Sequence, residues 1–534
     1  MSSANGRQDL SALGVQDLSA LGIQALVDPG KTPTDEQVRV IEAPRRPLLV
    51  VAGAGSGKTE TMSMRVLWLV ANHEDIAPSS VLGLTFTRKA AGELGDRLRQ
   101  RLALLARRVP SLRERLDEDP VSLTYNSFAE RIVAEHGMRI GIDPDFTMLT
   151  EAGAVDLMTQ IVEGWPTDLD EDLSPSAAVG HCLHLAGEVG EHGYTVEEAR
   201  DALEGFGRDL EQIGATNDTA RKTLRANARR LAYLGPVEEF QRRKREGGLL
   251  DFSDQLVLAT RIVRGAPAVR AQVRDEFQAV LLDEFQDTSV IQMELLSLLF
   301  HDHAVTAVGD PNQAIYGWRG ASASSLERFL DRFQDGPAQP GQTLTLSTAW
   351  RNDRNILRAA NRVAAPLREH SRAAKSPVLR ARPGAGEGRV DVAYTQDYRS
   401  ALGAVVDFVS AHRARGTREG KRPTTAVLCR RRSDFPYVDM ALREAGVPTQ
   451  IVGLGGLLDQ PSVQDARAAL VLADDVEASP WLARLLAGID LGAADLVALG
   501  DWARHLAREE GRDPHRAVLL DAVDNPPEPG WSAS

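Results

Sequence analysis

The chain has 534 residues, enough for several domains, with 43% apolar residues, 26% charged residues and a formal charge of −13. No apolar run is long enough for a membrane helix and the polar N-terminus lacks an export signal, so a cytoplasmic protein with no membrane partner is expected. The only cysteines, Cys182 and Cys429, exclude a disulfide framework or a zinc cluster. The acidic balance says little against nucleic-acid binding, because a local groove decides that.

A tandem repeat opens the chain. Gln8-Asp9-Leu10-Ser11-Ala12-Leu13-Gly14 recurs as Gln16-Asp17-Leu18-Ser19-Ala20-Leu21-Gly22. Two copies cannot build a solenoid, so residues 1–31 are expected to be a flexible leader or a short docking helix. Order is expected from about Thr32, where Thr34 and Gln37 have capping-box spacing.

Pro47 to Val51 is an apolar strand candidate, and Glu60 to Val70 reads as a helix. Between them runs Ala52-Gly53-Ala54-Gly55-Ser56-Gly57-Lys58-Thr59. Strand, glycine loop and helix in that order are the context of a phosphate-binding loop. Its backbone N–H groups turn in around phosphate oxygens. Lys58 reaches the β and γ phosphates, and the Thr59 hydroxyl ligates Mg²⁺. Ala52 departs from the strict glycine pattern.

Val81 to Phe86 is a further strand. Arg88 to Leu105 is a helix with Ala91, Leu94, Leu98 and Leu102 on one face. Residues 151–270 read as mostly helical. Ala279 to Leu282 is a buried strand ending in Asp283 and Glu284, where carboxylates face the ligand crevice of an open sheet. Asp283 would hold Mg²⁺, and Glu284 would orient and deprotonate the attacking water. A solvated acidic turn is the other reading. Ala304–Val308, Thr343–Leu346 and Thr425–Cys429 are later strand candidates. Alternating strands and helices imply an α/β fold with a parallel, doubly wound sheet.

Tyr316 and Trp318 follow a strand tip two residues apart, in position to stack single-stranded bases. Phe86 could stack another, with Thr85 and Thr87 holding phosphate. The other reading of each ring is a place in the core. Arg97, Arg99 and Arg101, Arg107-Arg108, and Arg242-Arg243-Lys244-Arg245 could line a DNA groove or face solvent.

Taken in order, Gln37, Ala52–Thr59, Thr85–Leu94, Thr124–Phe128, Leu250–Asp254, Asp283–Thr288, Val308–Ala321 and Leu346–Asn352 resemble the motifs of superfamily-1 DNA helicases of the UvrD/Rep/PcrA type. The resemblance implies a RecA-like P-loop motor domain over 32–150 and 271–350, with a helical insertion over 151–270. It also implies a partial second RecA-like domain over 351–472 and the start of a helical subdomain over 473–534. Gln37 would read adenine and Trp350 would stack on it. Gln313 would sense the γ-phosphate, and Arg351, otherwise a surface arginine, would contact it in the transition state. DNA contacts would come from Thr85, Phe86, Thr87, Asn126, Tyr316, Trp318 and Arg319. Asn126 stands where the family usually has His, and Glu60 where many members carry Arg.

The implied cofactors are ATP and Mg²⁺, and the implied partners are single-stranded and tailed duplex DNA, in repair or recombination. Leu84–Gly92 and Gly453–Leu458 resemble the AdnA/AdnB helicase–nuclease branch, which implies a partner subunit. The family's last two motifs are not found, so the chain is expected to be a motor truncated at its C-terminus. Two functions stay open. One is a 3′-to-5′ DNA translocase and helicase. The other is an ATP- and DNA-binding fragment or subunit with little turnover.

Overall fold

The computed structural model describes residues 18–143, 145–167, 169, 173–214, 217–317, 325–334, 340–370, 375–414, 424–452, 461–489, 491–514 and 517–527. Contacts divide the chain into two units, Met1–Val390 and Asp391–Ser534.

The first unit begins with helices α1 (Ala20–Val27) and α2 (Asp35–Ile41), strand β1 (Leu48–Ala52) and helix α3 (Lys58–Asn72). Next come β2 (Val81–Thr85), α4 (Arg88–Arg108), β3 (Val121–Thr124), α5 (Tyr125–His136) and the short β4 (Thr147–Met148). Helices α6 (Glu151–Glu163), α7 (Pro175–Glu191), α8 (Val196–Ile213) and α9 (Asp218–Glu246) form the insertion, and β5 (Leu249–Leu250) closes it by pairing with β4. The chain returns through α10 (Phe252–Gly265), α11 (Pro267–Glu276), β6 (Ala279–Leu282), α12 (Val290–Phe300) and β7 (Val305–Gly309). It continues as α13 (Ser325–Phe333), β8 (Gln342–Leu346), β9 (Thr348–Ala349), α14 (Arg354–His370) and β10 (Arg380–Ala381).

Among the described residues the main sheet runs β3-β2-β6-β7-β1-β8, with every pairing parallel. Its central strands are buried throughout and mostly apolar, because both faces are covered. Side chains alternate across the sheet. Leu49 and Val51 of β1 join a core with Phe128, Ile262, Leu295 and Phe329. Leu48, Val50 and Ala52 join the opposite core, with Val66, Leu69, Leu98 and Ile23. The insertion has its own core, built on Met158, Cys182, Leu185, Leu234 and Phe240. The α/β class and the helical character of 151–270 are as expected. The capping box is also present, with Thr34 Oγ1 accepting from the Gln37 amide and Gln37 Oε1 accepting from the Thr34 amide.

Helices α15 (Tyr398–Ala414), α16 (Phe435–Glu444), α17 (Pro461–Asp474), α18 (Ser479–Gly488), α19 (Ala493–Glu509) and α20 (Leu519–Asp524) make up the described part of the second unit. Val409, Leu442 and Val447 form a small core there. The strand expected at Thr425–Cys429 is not formed. That segment pairs with no described neighbour, and Leu428 is 93% exposed. An apolar run becomes a strand only when a second edge satisfies its backbone.

Candidate nucleotide and DNA site

All six strands of the main sheet deliver their motifs to the same edge. The sheet is parallel, so the segments after β1, β2, β3, β6, β7 and β8 leave together at its carboxyl end. They carry, in turn, Gly53–Thr59, Phe86-Thr87, Tyr125-Asn126, Asp283-Glu284, Asp310–Tyr316 and Trp350-Arg351.

The glycine loop joins β1 to α3, and Ala52 is its buried first residue. Gly55 and Gly57 take φ of +73° and +83°, which ordinary side chains rarely adopt. The loop leads directly into the N-terminus of α3, where the helix dipole favours an anion. Ser56 is 2% exposed, and its hydroxyl has no partner within the protein. A buried, unpartnered donor in an anion-binding loop fits a phosphate.

Lys58 Nζ donates to Glu284 Oε2 at 2.8 Å. Glu284 occupies the left-handed region at φ +48°, a strained backbone for a non-glycine residue. Burial raises its carboxyl pKa, but Lys58 and the Gln286 amide outweigh that and hold it below the ordinary value. Asp283 goes the other way, pushed up to about 6 by burial and then by the neighbouring Glu284 charge. Two adjacent carboxylates with one raised pKa form a site that gains from a cation. Asp283 and the Thr59 hydroxyl are hard oxygen donors of the kind Mg²⁺ takes.

On the far side of the loop, Trp350 N donates to Gly55 O at 2.8 Å. A Cβ built on Gly57 would lie 3.0 Å from Gln37 Nε2 and 3.7 Å from Trp350 Cδ1, so the two expected base-contacting side chains flank one loop residue. Arg351 lies against Gly55, whose Cβ would come within 3.4 Å of Arg351 Cβ. Gln313 is turned toward Asp310, donating to its Oδ2 at 2.6 Å.

The aromatic expectation takes a specific form. Phe86 and Tyr316 stack on each other, centroids 4.6 Å apart and planes tilted by 31°. Both are partly exposed rather than core. A cleft of about 400 Å³ opens beside Phe86, lined by Arg88, Asn126, Phe252 and Gln292 among others. Asn126 Oδ1 accepts from Gln292 Nε2 at 3.2 Å. Thr87 caps α4 by accepting from the Ala90 amide. Thr85 departs from expectation. It is 1% exposed and its hydroxyl donates to Thr87 O at 3.2 Å, so it holds the turn instead of facing the cleft. Trp318 and Arg319 lie outside the described residues.

The clustered arginines are also more committed than their spacing suggests. Arg101 pairs with both oxygens of Glu60, at 2.7 and 2.6 Å. Arg242 and Arg243 are tied to Glu239. Lys244 is 5% exposed and bonded to Asp251 and Asp254 at 2.5 and 2.7 Å. Arg101 thus ties α4 to α3 and Lys244 ties α9 to the start of α10, while the Arg242 and Arg243 pairs lie within α9.

Two residues were missed along the sequence. Tyr125 donates its hydroxyl to Asp283 O at 2.9 Å, and burial pushes that hydroxyl's pKa far up. Gln286, 2% exposed, donates to Glu284 Oε2 at 2.9 Å and Asp287 Oδ2 at 3.2 Å while accepting from the Asp310 amide at 3.0 Å. Asp287 Oδ1 in turn accepts from the Ile315 amide at 3.4 Å, next to Tyr316. A chain of polar contacts therefore runs from Lys58 to the aromatic pair. Only its place in the Asp283–Asp287 run hinted at Gln286.

A family model for the UvrD/REP helicase N-terminal domain matches residues 33–334. The chain belongs to the UvrD/REP helicase family. It is 26% identical over 492 residues to DNA helicase II of Haemophilus influenzae, covering 92% of this chain and 60% of that one. It is 28% identical over 441 residues to DNA helicase II of Escherichia coli, covering 82% and 54%. It is 28% identical over 500 residues to the ATP-dependent DNA helicase UvrD2 of Mycobacterium tuberculosis, covering 92% and 64%. The chain thus spans little more than half the length of these curated relatives. No helix among the described residues is long and apolar enough to cross a membrane.

Proposed function

We propose that this chain hydrolyses ATP to translocate along single-stranded DNA and unwind tailed duplexes in DNA repair. One observation carries the reading. The Lys58–Glu284 pair of the nucleotide site connects, through Gln286 and Asp287, to the loop bearing the Phe86–Tyr316 stack.

The roles follow from position. The loop amides, Ser56 and Lys58 bind the triphosphate, while Gln37 and Trp350 take the base. Glu284 accepts a proton from the attacking water, for which its lowered pKa keeps it ionised. Arg351 neutralises charge on the transferring phosphoryl group. Mg²⁺ held by Thr59 and Asp283 would supply further charge neutralisation there. A phosphate drawing Lys58 away from Glu284 changes what Glu284 asks of Gln286, and so reaches the rings that grip bases.

Recombination, a cytoplasmic setting and a nuclease-bearing partner subunit of the AdnA/AdnB kind extend the same reading from motif wording. So does the division into a motor domain, an insertion and a partial second motor domain. The test is the ATPase rate with and without single-stranded DNA, beside Glu284→Gln. DNA-stimulated turnover lost in that variant supports a motor. Tight binding of both ligands without stimulated turnover would replace it with an ATP- and DNA-binding subunit.

A further inference from the structure

The second copy of the N-terminal repeat runs into helix α1, and the eight-residue correspondence continues to its end at Val27; α1 packs against α3 and α4. Ala20 and Ile23 are fully buried there, with Leu18, Leu26 and Val27 packed beside them. Asn72 of α3 clamps the entrance. Its Oδ1 accepts from the Leu18 amide at 2.6 Å, and its Nδ2 donates to the Leu18 carbonyl at 2.9 Å. Glu42 Oε1 accepts from the Ala20 amide at 2.7 Å. Ser19 caps the helix by accepting from the Gly22 amide at 3.1 Å.

The Asn72 and Glu42 contacts address backbone, so they do not discriminate between sequences. The side chains that discriminate are duplicated. Leu10, Ser11, Ala12, Leu13, Gly14, Gln16 and Leu18 stand eight positions before Leu18, Ser19, Ala20, Leu21, Gly22, Gln24 and Leu26. Only three positions of the segment differ. Buried Ile23 corresponds to Val15, one methylene smaller, exposed Ala25 to Asp17, and half-buried Val27 to Ser19.

We propose that the α3–α4 groove accepts either copy of the repeat, so that Leu10–Ser19 docks when Leu18–Val27 is released. The occupant in both registers is this chain's own Leu-Ser-Ala-Leu-Gly segment. The second copy is preferred because Ile23 and Val27 bury more apolar surface than Val15 and Ser19. The link from the docked helix to the Thr34 cap grows by eight residues in the alternative register. That costs little, because loop closure depends only on the logarithm of length.

The test uses the full chain with Ile23→Asp, Val15→Asp and both together, read by amide hydrogen exchange and thermal melting. Ile23→Asp is expected to move slow exchange from residues 22–27 to residues 14–19, with a small loss of melting temperature. Val15→Asp is expected to change neither. The double variant should lose protection in both copies and melt lower than the two single effects summed. A synthetic peptide of residues 8–19 should then raise the melting temperature of the double variant, and the same peptide carrying Val15→Asp should not. If Ile23→Asp leaves both copies in fast exchange and melts as low as the double variant, the groove reads only the second copy and the proposal fails. A peptide without effect overturns it equally.

Discussion

Lys58 and Glu284, 226 residues apart, meet as an ion pair at 2.8 Å, with the lysine side chain 12% exposed and the carboxylate 39%. Each holds the other in the place where phosphate and water chemistry would need it. Glu284→Gln keeps the shape and the Gln286 contact but removes the base. ATP turnover should fall by about 10²–10⁴-fold, the usual worth of a positioned proton acceptor. Nucleotide affinity should hold or rise, because a carboxylate at 284 no longer competes with phosphate for Lys58. Equilibrium binding beside steady-state rates checks this, and a variant that binds ATP far more weakly would contradict it.

The Phe86–Tyr316 stack makes a different demand. Removing either ring to Ala should weaken single-stranded DNA binding by about 1–3 kcal/mol, the range for one base–aromatic contact. The rings touch, so the double variant should lose less than the sum of the singles. Fluorescence anisotropy on a labelled oligonucleotide measures it. Strict additivity would mean the two rings act on DNA separately.

Gln286 touches neither expected ligand yet bridges Glu284, Asp287 and the Asp310 amide. Gln286→Leu keeps the volume and cuts the bridge. DNA stimulation of the ATPase should drop by a coupling energy of about 0.5–2 kcal/mol, with a smaller change in the rate without DNA. Equal losses with and without DNA would show a purely structural role.

Glu60, at the start of α3, is paired with Arg101 of α4. Glu60→Arg and Arg101→Glu should each destabilise the first unit through like-charge contact. The swapped double variant should recover most of that, with a coupling of about 0.5–3 kcal/mol in a denaturation cycle. No recovery would mean that the α3–α4 junction is held by packing alone.

His303 supplies a pH signature. Burial holds its pKa below the ordinary value, and Nε2 contacts Phe277 O at 2.6 Å. A depressed imidazole pKa means that the unfolded chain binds the extra proton first. The contribution of His303 is therefore present above the unfolded value near 6.5 and is lost as pH falls through the folded value. His303→Asn should flatten the stability profile over that window relative to the parent. An unchanged profile would refute the assignment.

Reading along the chain was enough for elements set by local periodicity and backbone preference. The glycine loop, its strand and helix, the Thr34 capping box, the apolar face of α4 and the acidic strand end all lie within short windows. There, side-chain periodicity and backbone preference act directly. What it could not supply was the partner of each charge and ring. Lys244 looked like part of a groove and is a buried pair with Asp251 and Asp254. Thr85 looked like a phosphate contact and is turned inward. Thr425–Cys429 looked like a strand and has no described edge to join. The partners of Lys244 and Thr85 are close in sequence, but only the packing of the fold around them decides that these contacts are made. Burial then penalises every polar group left unpaired, and that penalty selects the partner.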